Sequence, residues 1–354
     1  MKRAIFVAAV MMAGVAQGAV QFGVCPFGLV AAITDGYAST NPYVVSKTWT
    51  TGEVARYALI DQLSPDTVQS GFIEVQTSQG GPWVAPTHFA INTANHVGQL
   101  FPLGTAATHG ARITVNTPSP GRAIWRVAYA EFLAENPGVN LALGAAKTGF
   151  YNEALAFTAT AIGTGANPDR LFDGQDSAYW RASSALTTPV NYAGVVFDTP
   201  VIVDALRFDL GMWSDQWRWT NFDLEVRYGY GDPDADASWT FVGQANIASN
   251  FYWVGMGGME VTGVRLIGRN NDHFDPEVPY SQYGNNPGFN SDPRYLYLID
   301  PEDSRYNPNH TSSPFINTLI VSEMQVWGRM PVVPEPATMS LLALGGLAML
   351  RRRR

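Results

Sequence analysis

The sequence predicts an all-β fold of antiparallel β-sandwiches or jelly rolls, and three observations carry that expectation. Apolar and polar residues alternate in runs such as Ile202-Val203-Asp204-Ala205-Leu206-Arg207-Phe208-Asp209-Leu210 and Phe222-Asp223-Leu224-Glu225-Val226-Arg227-Tyr228, the period of a strand with one buried face. The 34 Gly and 23 Pro break these runs at short intervals, as turns between strands require. Charged residues make up only 15% of the chain while aromatics reach 12%, a balance unlike that of a helical enzyme. With 354 residues the chain exceeds what one hydrophobic core usually organises, so two domains are expected between processed ends.

The first of those ends is residues 1–18. Lys2 and Arg3 precede an apolar stretch from Ala4 to Val15, and Ala16-Gln17-Gly18 sets small residues at the −3 and −1 positions of a cut after Gly18. This is the pattern of a secretory signal peptide, whose helix is removed on export. The single Cys25 forms no internal disulfide, and Phe22-Gly23-Val24 lacks the small residue expected before a lipidated cysteine, so a packed or disordered thiol is expected.

At the other end, 331–354, a Pro334-Glu335-Pro336 triplet precedes an apolar run from Ala337 to Leu350 and four terminal arginines. As a helix that run is about 21 Å long, short of the hydrocarbon core, and Glu335 opposes its extension into lipid. Arg351 to Arg354 would stay on the cytoplasmic side, so a transient stop in the membrane fits better than a lasting anchor. The triplet, the apolar run and the arginines together resemble the PEP-CTERM sorting signal of Gram-negative bacteria. The resemblance implies processing by exosortase, a membrane protease-transferase, with the mature protein at the cell surface or in the extracellular matrix.

The net charge of −8 leaves no basic stripe outside that terminal cluster, which argues against nucleic acid as a partner. Between the ends, residues 31–136 and 137–330 form a weak internal repeat. Each half has an Asp-Gly pair (Asp35-Gly36, Asp173-Gly174), a Trp soon after, and a late strand with a central Glu (Glu131, Glu323). Asn136-Pro137-Gly138 is a natural boundary between the halves, 19–136 and 137–330. The polar stretch 270–317 has no strand-like alternation and is taken as one long insertion.

From 140 to 329 the order of motifs resembles a discoidin domain, the coagulation factor 5/8 type C or galactose-binding-like family. The residues that carry it include Asn140-Leu141-Ala142-Leu143-Gly144, Asn167-Pro168-Asp169-Arg170-Leu171-Phe172-Asp173-Gly174, Gly194-Val195-Val196-Phe197-Asp198 and Glu323-Met324-Gln325-Val326-Trp327-Gly328. The first half resembles the family more faintly, so two such sandwiches in tandem are expected.

The turn Asp173-Gly174-Gln175-Asp176-Ser177 offers the hard oxygen ligands that calcium prefers. The resemblance implies a structural Ca²⁺ held by Asp173, Asp176 and Glu323; the alternative is that Asp173 starts a turn and Glu323 satisfies backbone amides or an arginine. For ligand binding, Trp213, Trp217, Arg218 and Trp219 form a cluster that one strand face cannot bury, and Tyr252 and Trp253 add a second aromatic group. Exposed rings there would stack on sugar faces. Asp232-Pro233-Asp234-Ala235-Asp236 lacks the Gly and Glu of a calcium loop and is expected to be a solvated hairpin loop.

Catalysis finds little support, since there is no nucleophile elbow, no His-Glu-x-x-His and only five His. The expectation is an exported, non-enzymatic protein that binds extracellular polysaccharide. Two alternatives stand beside it: a matrix protein that adheres through protein contacts, and a polysaccharide hydrolase with paired carboxylates in the insertion.

Overall fold

A computed structural model of the chain describes residues 19–38, 43–50, 52–62, 68–90, 97–118, 125–163, 167–175, 180–181, 190–209, 221–246, 251–269, 320–321 and 323–331. The two terminal signals and the 270–317 insertion therefore lie outside the described residues. Among those described, no helix is long and apolar enough to cross a membrane.

A two-residue strand, β1 (Gln21–Phe22), precedes eight strands: β2 (Leu29–Ala38), β3 (Tyr43–Thr48), β4 (Ala55–Gln62), β5 (Val68–Gln76), β6 (Trp83–Ala90), β7 (Gln99–Ala107), β8 (Gly110–Pro118) and β9 (Trp125–Leu133). The eight form two four-stranded antiparallel sheets, ordered β2-β9-β4-β7 and β3-β8-β5-β6, which is jelly-roll topology. Ile33, Ile60, Ala130 and Phe132 from the first sheet meet Val45, Ile73, Val75 and Ile113 from the second in one core. In β4 the last five residues, Ala58 to Gln62, are all buried, polar ones included, because both faces of its sheet are covered.

The remaining strands are β10 (Val139–Asn140), β11 (Phe150–Asn152), β12 (Phe157–Gly163), β13 (Trp180–Arg181), β14 (Val190–Asp209), β15 (Asn221–Arg227), β16 (Thr240–Asn246), β17 (Phe251–Arg269), β18 (Ile320–Val321) and β19 (Glu323–Arg329). Strands β14 and β17 form one long antiparallel hairpin whose register breaks between Val196 and Val201. Before the break β14 also pairs with β12, and after it with β19. Val195 and Leu224 on one side and Val203 and Leu206 on the other share a single core, so the hairpin passes from one layer of a sandwich to the other.

The two halves do not share a strand order, so the second sandwich is not a repeat of the first. Asp35-Gly36, matched by the repeat to the Asp173-Gly174 turn, lies inside β2 opposite β9, whereas Asp173-Gly174 follows a 3₁₀ turn at Pro168–Leu171. Nor do residues 19–136 form one unit, because β1 pairs with β17 and extends the second sandwich.

A bulge at Asp204 decides how the two sandwiches meet. Val203 pairs with Gly328 and Ala205 with Trp327, leaving Asp204 as an extra residue. The extra residue flips the alternation. Leu206 and Phe208 continue the core side begun by Val201 and Val203, while Ala205, Arg207 and Asp209 turn outward. That outer face packs on the β2-β9-β4-β7 sheet, burying Phe27, Leu59, Leu133, Ala205, Trp253 and Trp327 together.

Candidate functional site

Loop placement follows from where the strands of the second sandwich end. Phe208, next to last in β14, packs edge-on against Phe222 at the start of β15, with ring centroids 5.1 Å apart. Asp209 pairs with Phe251 and with Glu323, and Asn221 pairs with Asn246. The connections 210–220 and 247–250 thus both start and finish at one end of the sandwich. Trp213, Trp217, Arg218 and Trp219 belong to the first of these connections and lie outside the described residues, as does Asp176.

Asp173 and Glu323 meet at this same end. Leu171 and Phe172 are fully buried and anchor the turn, so the Gly174 N–H donates to Glu323 Oε2 at 3.1 Å. Asp173 Oδ1 accepts from the Gln175 N–H at 2.9 Å, and the Val97 N–H of the first sandwich donates to the Gly174 carbonyl at 3.0 Å. Glu323 is fully buried and its Oε1 has no hydrogen-bond partner among the described residues. Burial, followed by the charge of Asp173, holds its carboxyl well above the usual carboxylate range, and the Gly174 N–H opposes this only in part. Among the described residues no three of His, Cys, Asp and Glu stand where they would share a metal ion.

Beside Glu323 lies an ionic cluster that the sequence did not disclose. Arg207 donates from Nε to Glu131 Oε2 at 2.8 Å and from Nη1 to Asp61 Oδ1 at 3.1 Å, and its Nη2 pairs with Asp61 Oδ2. The side chains of Arg207 and Asp61 are each 1% exposed and that of Glu131 is 0%. Arg207 Nη1 also donates to Gln325 Oε1 at 3.3 Å. Burial works against the guanidinium, but Asp61 and then Glu131 outweigh it and hold Arg207 above its ordinary value. For Glu131 burial pushes the carboxyl up, while Arg207 and the Trp253 N–H counter part of that rise.

Trp253, expected as a sugar-stacking ring, is turned inward instead. Its Nε1 donates to Glu131 Oε1 at 2.6 Å, its ring meets Phe27 edge-on and it is 5% exposed, so it presents no face to a ligand. Tyr252 is partly buried against the second core. Cys25 packs beside the junction, where burial and the nearby Glu131 push its thiol up to about 12.

The Asp232–Asp236 loop is also more than a solvated turn. Asp236 accepts from Arg265 Nη2 at 2.8 Å, the Tyr192 hydroxyl donates to Asp234, and Trp239 Nε1 donates to the Pro233 carbonyl at 2.9 Å. Arg265, fully buried, lies between the Tyr192 and Trp239 rings and donates to Glu225 Oε2 at 2.6 Å. The loop folds back on its own sheet because these partners hold it there.

Several solved structures are similar in fold. A fucolectin from the serum of striped bass (Morone saxatilis) matches at 10% identity over 78% of this chain and 80% of its own, with a TM-score of 0.32. Chitosan-binding module 1 of a Paenibacillus chitosanase/glucanase matches at 17% identity over 54% of this chain and 99% of its own, with a TM-score of 0.31. The tandem CBM32-1 and CBM32-2 domains of Clostridium perfringens ZmpB, solved with GalNAc, match at 8% identity over 87% and 92%, with a TM-score of 0.29. The sandwich assignment itself rests on the strand pairing above. No curated protein matches the sequence. Residues 332–354 match the family model described as the PEP-CTERM protein-sorting motif, so the chain carries the sorting signal of an exported, exosortase-processed protein.

Proposed function

We propose that this is a non-enzymatic surface or extracellular-matrix protein that binds exopolysaccharide at the loop end of its second sandwich. The observation that carries the reading is the convergence there of two connections. The Phe208–Phe222 contact brings both anchors of 210–220, the segment with three Trp and Arg218, to the end where 247–250 also begins and finishes. Tryptophan faces suit the apolar side of a pyranose, and a guanidinium suits its hydroxyls.

Calcium is the structural cation this end would take. Glu323 supplies a buried carboxylate oxygen without a partner among the described residues, and Asp173 lies close enough to raise its pKa. With Asp176 these residues would offer the oxygen ligands that calcium prefers, and the ion would stabilise an ionised Glu323. The reading is tested by retardation of the full mature chain in gels containing exopolysaccharide from the producing cells. Replacing Trp213, Trp217 and Trp219 by Ala should abolish most of the retardation; unchanged retardation would remove this end as the site.

A further inference from the structure

Strand register fixes where the two ends of the chain leave the second sandwich. At the loop end of the layer that holds β19, Asp209 pairs with both Phe251 and Glu323; at the opposite end, Ile202 pairs with both Glu260 and Arg329. From Glu323 to Arg329 the strand rises about 20 Å, which separates the two ends. Beyond Arg329 only Met330 and Pro331 precede the sorting motif at 332–354, and Met330 still packs against the core. β1 brings the other terminus to the same place. Gln21 lies in one row with Gly255, Ala205 and Trp327, and Phe22 in the next row with Val254, Leu206 and Val326. The chain ahead of Gln21 therefore points toward Arg329 and away from Glu323. Val20 and Phe22 pack against the second core, and a Cβ on Gly243 would come within 2.5 Å of the Phe22 ring, so β1 is seated closely. The order β19-β14-β17-β1 sets the two exits about 14 Å apart.

Both exits are on short tethers. Fully extended chain from Pro331 to the apolar run at Ala337 reaches at most about 21 Å, and from Val15, the last residue of the leading apolar stretch, to Val20 at most about 18 Å. The headgroup layer takes up about 6 Å of each. While either apolar run sits in the bilayer, the row of Ile202, Glu260 and Arg329 is held close to the lipid, and the loop end stands a strand's height further out. Charge gives the folded part no affinity of its own for the membrane. Lys2, Arg3 and Arg351 to Arg354 all belong to the terminal signals, so the remainder is more acidic than the −8 of the whole chain and is repelled by an anionic bilayer. At the exit end Arg329 is paired with Asp204 and Glu260 is exposed. The tethers, not adhesion, hold this end to the surface.

We propose that the Ile202–Glu260–Arg329 end of the second sandwich faces the exporting membrane while a terminal signal is in place, and that the loop end points away from the lipid. The connections 210–220 and 247–250 then meet the space outside the membrane before processing is complete. This orientation follows from the sorting motif and the strand register, whatever the loop end binds. The full chain carrying Cys25→Ser and either Glu260→Cys or Ser249→Cys, the latter in the 247–250 connection, is labelled with a fluorophore. It is reconstituted into vesicles of phosphatidylethanolamine and phosphatidylglycerol with a nitroxide on the headgroup, and inserted chains are recovered by flotation. The label at 260 should be quenched several-fold more than the label at 249, and chains spanning 19–331, which lack both signals, should show quenching at neither. If Cys25→Ser does not fold, the native Cys25 is kept, because burial and Glu131 push its thiol up to about 12 and leave it unreactive at neutral pH. Equal quenching at the two positions, stronger quenching at 249, no quenching at 260, or quenching at 260 that persists in 19–331 overturns the proposal. A full chain that does not float with the vesicles overturns it at the sorting motif itself.

Discussion

Replacing Arg207 by Met tests whether the two sandwiches are locked by a buried charge. Arg207 is the cation between Asp61 and Glu131, and all three side chains are at most 1% exposed. The substitution keeps an unbranched apolar stem but leaves two carboxylates buried with their charge partner gone. Breaking a buried pair from one side costs about 3–5 kcal/mol, because the orphaned charges have lost both water and partner. Replacing all members by neutral groups is expected to be far milder. Chemical denaturation of Arg207→Met, compared with Asp61→Asn/Glu131→Gln/Arg207→Met, measures both quantities. The single variant should lose about 3–5 kcal/mol and the triple variant should recover more than half of it. A single variant within about 1 kcal/mol of the parent, or a triple variant no better than the single, would refute the reasoning.

Glu323 governs a pH dependence of definite sign. Burial together with Asp173, Asp209 and Asp61 raises its native pKa above the unfolded value, with the Gly174 N–H opposing. Its contribution to stability is therefore complete below the ordinary carboxylate range and is lost as pH rises through the raised native value. In chelator, Glu323→Gln should flatten thermal denaturation midpoints between about pH 4 and 8 and melt higher than the parent at neutral pH. Added Ca²⁺ should raise the neutral-pH midpoint of the parent and leave the variant unmoved; identical profiles for the two chains would sink both expectations. For the sorting motif, mass spectrometry of the protein recovered from the cell surface should find no peptide containing Leu341 to Arg354.

The approach of Asp173 to Glu323 was readable, but the neighbours of the pair were not. Asp173 and Glu323 were visible as a turn carboxylate and a late-strand carboxylate, and they do meet, through the Gly174 N–H. What no local pattern disclosed is that Val97 of the first sandwich also bonds to that turn. Gly98 shows how tight the closure is. It adopts φ +67, where glycine is favoured, and a Cβ there would run into the Gln325 amide. Gln325 itself accepts from Arg207 and from Trp327 Nε1, so one residue of β19 ties the turn, the junction and the ionic cluster together.

The sequence by itself determined that this chain is antiparallel β and carries an export address, because alternation and terminal charge patterns are local and survive without knowledge of contacts. Only the tertiary structure decided which polar residues face water. The single extra residue at Asp204 reverses the alternation in β14, so that Leu206 and Phe208 keep the core while Arg207 and Asp209 turn outward onto the first sandwich, and Trp253 becomes a buried donor to Glu131. A bulge is a matter of pairing between strands distant in sequence, and pairing energy is a property of the folded sheet, which is why one residue of register outweighed an otherwise faithful pattern.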